Sequence, residues 1–175
     1  PKRSAQGLVG LHMNRNITIN PDAATKEEVE AAYDDLMSDK YGAFYLFDHF
    51  GSTGMDIITN RIRYMNKALG CNIIFLDHIS ILVSGLTGKV TDERRLVDDI
   101  VTHLRTTVVQ ELGISLFLVS HLKRPMSEAG HEGGAKVQLS QLRSSHSIAQ
   151  LSDFCIGLQV DAEDPTSGGR ELVVL

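Results

Sequence analysis

The sequence predicts an α/β protein with a mainly parallel, twisted sheet, and three observations carry that prediction. Short apolar runs bounded by polar turns recur at residues 43–47, 73–76, 114–119, 154–160 and 172–175, and such runs suit strands buried on both faces. Between them lie segments with apolar residues at helical spacing. The chain has 175 residues, 42% of them apolar, which is enough for one domain with a real core. Alternating strand and helix predicts helices on both faces of the sheet, joined by right-handed crossovers. Ligands then belong at the carboxyl ends of the strands.

The elements follow in order. Over residues 26–38, Val29, Ala32, Tyr33, Leu36 and Met37 share a helical face. Over 56–69, Ile58, Ile62, Met65 and Leu69 do, and over 92–111, Leu96, Ile100, Leu104 and Val108 do. Two stretches break the pattern, "SGLTGKVT" at 84–91 and "KRPMSEAGHEGGAKV" at 123–137. Both are rich in Gly, Ser, Lys and Arg, and both begin just after a strand end. They are expected to be loops on the active edge of the sheet. No internal repeat is present, although "LFDHF" at 46–50 faintly echoes "FLDHI" at 75–79.

Composition excludes several classes of protein. A net charge of −5 argues against a general nucleic-acid coat and confines any polyanion site to one face. No apolar stretch approaches the roughly 20 residues that span a bilayer, and the first twelve residues lack a signal-peptide layout. A cytoplasmic protein without membrane contact is expected. Cys71 and Cys155 lie beside apolar runs and read as buried free thiols. The chain opens at Pro1 and stops inside "RELVVL", which reads as a domain truncated at both ends.

The chemistry concentrates at strand ends. The run "IIFL" at 73–76 stops on Asp77 and His78. A carboxylate emerging there can hold a magnesium ion while leaving room for phosphates, the Walker B pattern. The next central strand ends on Ser120 and His121, and a crossover helix between the two would bring both ends to one crevice. The His121 imidazole can donate to a terminal phosphate, and Lys123, Arg124 and Lys136 lie on the loop behind it. The competing reading of these residues is a loop-capping acid, a backbone-satisfied histidine and a solvated charged loop. His12 and His103 are read as structural. Gly85, Gly88, Lys89 and Thr91 mimic a phosphate-binding loop, but only two residues separate the glycines and Val90 intrudes before the hydroxyl. No G-x-x-x-x-G-K-[ST] occurs in the chain.

Taken in order, "IIFLDHIS", "DERRLVDDI", "LVSHLKRP" and "QLRSSHSIAQLSD" closely resemble the RecA-like motor domain of hexameric replicative DNA helicases, especially the phage primase-helicase, DnaB and Twinkle types. The resemblance runs from about "GLVGLH" to Leu175. It implies one RecA-like three-layer sandwich over residues 1–175, working as part of an ATP-dependent replicative helicase. Asp77 then organises Mg²⁺ for bound ATP or another nucleoside triphosphate, and His121 senses the γ-phosphate. Lys89, Lys123, Arg124, Lys136 and Arg143 are implied contacts to single-stranded DNA, and Gln150 an interface or coupling residue. The partners implied are single-stranded DNA and further copies of the protein in a ring, a hexamer, in the cytoplasm of a bacterium or a phage-infected host.

By the same resemblance the P-loop lysine and the catalytic glutamate lie upstream of Pro1 and the arginine finger lies past Leu175, so the chain alone is expected to be inactive. Two positions depart from the pattern. His146 stands where glycine is common after the serine, and Val160 stands where a basic residue is common. Two other classes compete. One is a metal-dependent hydrolase with zinc or manganese held by Asp48, His49, Asp77, His78 and His121. The other is a non-catalytic RecA-like module that binds DNA or assembles.

Overall fold

The computed structural model describes residues 2–38, 40, 42–47, 53–86, 92–123, 135–142, 147–160 and 170–175. The chain divides into two units, Pro1–Phe50 and Gly51–Leu175.

In the first unit, helix α1 (Lys2–His12) leads through a single 3-10 turn (Pro21–Ala23) to helix α2 (Lys26–Leu36). Helix α2 starts where it does because Thr25 and Glu28 cap it reciprocally. The Glu28 N–H donates to the Thr25 hydroxyl at 3.2 Å, and the Thr25 N–H donates to the Glu28 carboxylate at 2.9 Å. Arg15 reaches the same carboxylate at 3.0 Å. The Thr25 backbone first, then Arg15, hold the Glu28 carboxyl below its ordinary range. The last residue of α1, His12, meets Asp35 of α2 at 2.8 Å. A Cβ on Gly10 would lie 2.8 Å from the Arg15 carbonyl oxygen, so the turn after α1 closes against a glycine.

Residues 42–47 are neither strand nor helix, and Phe44, Tyr45 and Leu46 are exposed. This corrects the strand expected at 43–47. An apolar run becomes a strand only when a neighbouring segment satisfies its backbone groups, and no described segment pairs with this one.

The second unit begins with α3 (Met55–Leu69), whose buried face is Ile58, Thr59 and Ile62. It stops at Gly70, which adopts φ 71°. The Gly70 and Cys71 N–H groups turn back onto the Asn66 and Met65 carbonyls, the left-handed stop that glycine permits at least cost. Strand β1 (Ile73–Leu76) follows. Helices α4 (Ser80–Leu86) and α5 (Glu93–His103) then lead back to strand β2 (Ser115–Leu118). β1 and β2 pair in parallel, Ile73 opposite Ser115 through Leu76 opposite Leu118. Helix α4 overlaps the first part of the loop expected at 84–91; residues 87–91 lie outside the described residues.

Helix α5 is capped by the Asp92 carboxylate, which accepts from the Arg94 and Arg95 N–H groups. It continues as a π-helical segment, Leu104–Gln110. The predicted stripe Leu96, Ile100, Leu104 and Val108 is buried throughout. A strict four-residue spacing drifts by about 40° per step around an α-helix. Wider π turns rotate the next residue back, which keeps Val108 under Leu104.

Helix α6 (Ser147–Leu151) packs on α5 and buries Ile148. Strands β3 (Ile156–Val160) and β4 (Arg170–Val174) form a second, antiparallel sheet, Ile156 opposite Val174. A parallel return needs a crossover of about a dozen residues or more, and residues 161–169 are too few to supply one. The described strands therefore form one parallel and one antiparallel pair.

Burial on both faces, expected for every strand, is not found. Phe75 and Phe117 stack with centroids 4.6 Å apart, yet they are 68% and 47% exposed. The two cysteines are free and half-buried rather than buried.

Candidate functional site

Two parallel strands ending side by side define the site. Past the β1–β2 ladder, the Val119 N–H donates to the Leu76 carbonyl and the Ile79 N–H to the Val119 carbonyl, each at 3.0 Å. Asp77 and His78 lie between those two bonds on one chain, and Ser120 and His121 follow them on the other. Pairing register thus puts Asp77 and His121 at the same carboxyl-end edge. Both side chains are exposed.

Sequence reasoning had placed His78 only in the metal-ligand set. Its ring packs edge-on against His121, with centroids 4.4 Å apart and planes at 62°. The His78 Nδ1 is buried without a hydrogen-bond partner. The peptide joining Asp77 to His78 is cis. The one sequence signal for this pairing was the polar dipeptide that ends each strand.

The basic loop beside this edge is held at its base. Leu122 bridges Leu142, and the Lys123 N–H donates to the Gln141 carbonyl at 2.7 Å. At its far end Lys136 is exposed and Val137 is buried. Arg124, like Lys89 and Arg143, lies outside the described residues, as do Asp48, His49 and His146.

Gln150 is exposed on α6. Just beyond that helix, Asp153 takes a two-pronged hydrogen bond from Arg105 on the π-helical segment, at 2.7 and 2.9 Å. These bonds hold the Asp153 carboxyl below its ordinary range and push the Arg105 guanidinium up. Val160 is buried at the end of β3, a strand position that a cation would occupy only at high cost. His103 meets the Thr59 hydroxyl at 3.0 Å, a bond that ties α3 to α5.

The donors present suit one metal chemistry better than another. Among the described residues no group of three or more His, Cys, Asp or Glu side chains is placed to hold a metal ion. Asp77, His78 and His121 therefore do not make the closed ligand set that zinc takes. A single exposed carboxylate fits magnesium, which keeps its waters and shares its shell with phosphates.

Over residues 5–169 the chain matches the DnaB-like helicase C terminal domain. It belongs to that family. It is also 38% identical to the DNA helicase/primase of Enterobacteria phage T3 across 160 residues, 88% of this chain and 27% of that protein. The chain thus spans about a quarter of the length of the relative. Membership gives the DnaB-like domain a RecA-like α/β fold, consistent with the parallel β1–β2 pair and its helical crossover. It also weighs against the metal-dependent hydrolase reading. Among the described residues no helix is long and apolar enough to cross a membrane.

Proposed function

We propose that this chain is part of the motor of an ATP-dependent replicative DNA helicase, in which nucleotide hydrolysis drives movement along single-stranded DNA. The observation that carries the reading is the placement of Asp77 and His121 at the ends of two paired parallel strands, beside a basic loop. Residues 1–175 then belong to one RecA-like three-layer sandwich. The working form is a ring of like subunits, a hexamer, in the cytoplasm of a bacterium or a phage-infected host.

In this reading the Asp77 carboxylate holds Mg²⁺ through its water shell, as a lone strand-end carboxylate suits. Bound with ATP, the ion neutralises charge on the β- and γ-phosphates. His121 donates a hydrogen bond to the terminal phosphate, and the edge-on His78 ring fixes its tilt. A change in the His121 position passes along two residues to Lys123, because Leu122 and Lys123 are pinned to residues 141–142. Lys123 and Lys136, with Arg124, Lys89 and Arg143, hold single-stranded DNA by its phosphates and so read little sequence. Gln150 relays between that loop and a neighbouring subunit.

The test is Asp77→Ala in the intact protein. DNA-stimulated ATP hydrolysis is expected to fall by about 10²–10³-fold, the scale on which one electrostatic group supports phosphoryl transfer. Retention of more than a tenth of the rate would remove Asp77 from the mechanism. These 175 residues contain no G-x-x-x-x-G-K-[ST], so the isolated chain is expected not to hydrolyse ATP; turnover by it that vanishes with Asp77→Ala contradicts that expectation.

A further inference from the structure

The basic loop is anchored at both of its ends. At the upstream end Leu122 bridges Leu142 and the Lys123 N–H donates to the Gln141 carbonyl. The downstream end is held by two residues of β3, the Gly157 backbone and the Gln159 side chain. Val137 is 5% exposed and lies over Gly157, where an added Cβ would come 2.8 Å from its Cγ1 and 3.2 Å from its Cβ. The Val137 N–H donates to Gln159 Oε1 at 3.0 Å, and Gln159 Nε2 donates to the carboxylate of Glu171, its cross-strand partner on β4.

Gln159 is itself only 7% exposed. A buried amide in a strand costs free energy unless both ends are satisfied, and an apolar side chain would fill the same space without that demand. The partners also fix which way the amide faces, since a backbone N–H can only donate and a carboxylate can only accept. Gln159 therefore meets Val137 at one height and in one orientation, immediately after Lys136.

We propose that Gly157 and Gln159 form a latch that fixes the downstream end of the basic loop and thereby sets where its cations meet a nucleic-acid strand. Gln159 is a positioning residue in this scheme and touches no phosphate. The inference rests on residues 123–137 being the DNA-holding loop.

The test uses the intact protein with a fluorescein-labelled oligothymidylate, read by anisotropy, together with hydrogen exchange at the Val137 amide. Gln159→Leu keeps the volume and removes both hydrogen bonds. Exchange at Val137 is expected to rise and DNA affinity to fall roughly tenfold, the scale of one buried hydrogen bond left unmade. Gln159→Glu alone sets two carboxylates opposite each other and weakens binding. Adding Glu171→Gln restores a donor and an acceptor and is expected to return affinity to within about twofold of the original. Gly157→Ala displaces Val137 and gives a second route, with a loss of about threefold or more from misplaced cations.

Unchanged affinity in both Gln159→Leu and Gly157→Ala overturns the latch. So does a Gln159→Glu loss that the Glu171→Gln partner does not repair, because the loss then does not come from the Val137–Gln159–Glu171 hydrogen-bond chain. The underlying reading fails separately: a Lys123→Ala/Lys136→Ala double variant with full DNA affinity shows that the loop does not hold DNA at all.

Discussion

The strand-end edge and the base of the basic loop lie on the same unit and obey opposite rules. At the edge, Asp77 and His121 are exposed, and His78 leaves a buried nitrogen without a partner. At the loop base, Val137 and Gln159 are buried, and both ends of the Gln159 amide are used. Groups that are to meet a ligand keep their hydrogen-bonding capacity open, while groups that hold a loop in register spend theirs within the protein. The difference separates residues whose loss should remove activity from residues whose loss should move or unfold something.

The helical core gives the largest expected effect. Ile100 is 1% exposed, and Ile100→Ala should cost about 2–5 kcal/mol, read as a lower urea midpoint at unchanged slope. A cost below about 1 kcal/mol would mean that the α5 stripe is not the core. His121→Ala is next. It should lower ATP hydrolysis of the intact protein by about 10²-fold and leave the urea midpoint within error, since His121 is exposed. A matching loss of stability would break the comparison by making His121 a structural residue.

Thr25→Ala removes one half of the capping box on α2 and should cost about 1 kcal/mol, with Thr25→Ser restoring most of it. The smallest effect belongs to Arg105 and Asp153. Because the folded Asp153 pKa lies below its ordinary value near 3.8, the stabilisation is present above that value. It is lost as pH falls through the folded pKa. The urea midpoints of the native protein and Asp153→Asn should therefore differ modestly near neutral pH and converge in acid. Added salt should shrink the difference, since the pair is on the surface. A difference that grows in acid would reverse the sign and refute the assignment.

Much of the framework was legible in local pattern. The runs at 73–76 and 114–119 became β1 and β2, the 92–111 stripe is buried along its whole length, and helices formed at 26–36 and 55–69. Each of these depends on periodicity within a few turns or residues, which a sequence carries directly. Helix α1 and helix α4 were passed over, the first read only for targeting signals and the second hidden by its glycine and serine. The strand expected at 43–47 failed for lack of a described partner, a property of another segment. Of the candidate site, Asp77 and His121 were found from where apolar runs end. Gly157 and Gln159 gave no local signal, since a glycine and a glutamine in a strand announce neither a notch nor a latch.

By itself the sequence determined which segments are apolar enough to become strands, which face of the 92–111 helical segment turns inward, and which polar residues stand at strand ends, whereas the stripe expected on α2 leaves Tyr33 and Met37 exposed. Those follow from propensity and spacing along one chain. Only the tertiary structure decided that β1 pairs with β2 in parallel, that β3 and β4 close as a hairpin, that His78 lies against His121, and that Val137 docks over Gly157. Pairing partner, register and side-chain contact join residues far apart in the chain, and they are settled by which surfaces fit and satisfy one another on folding.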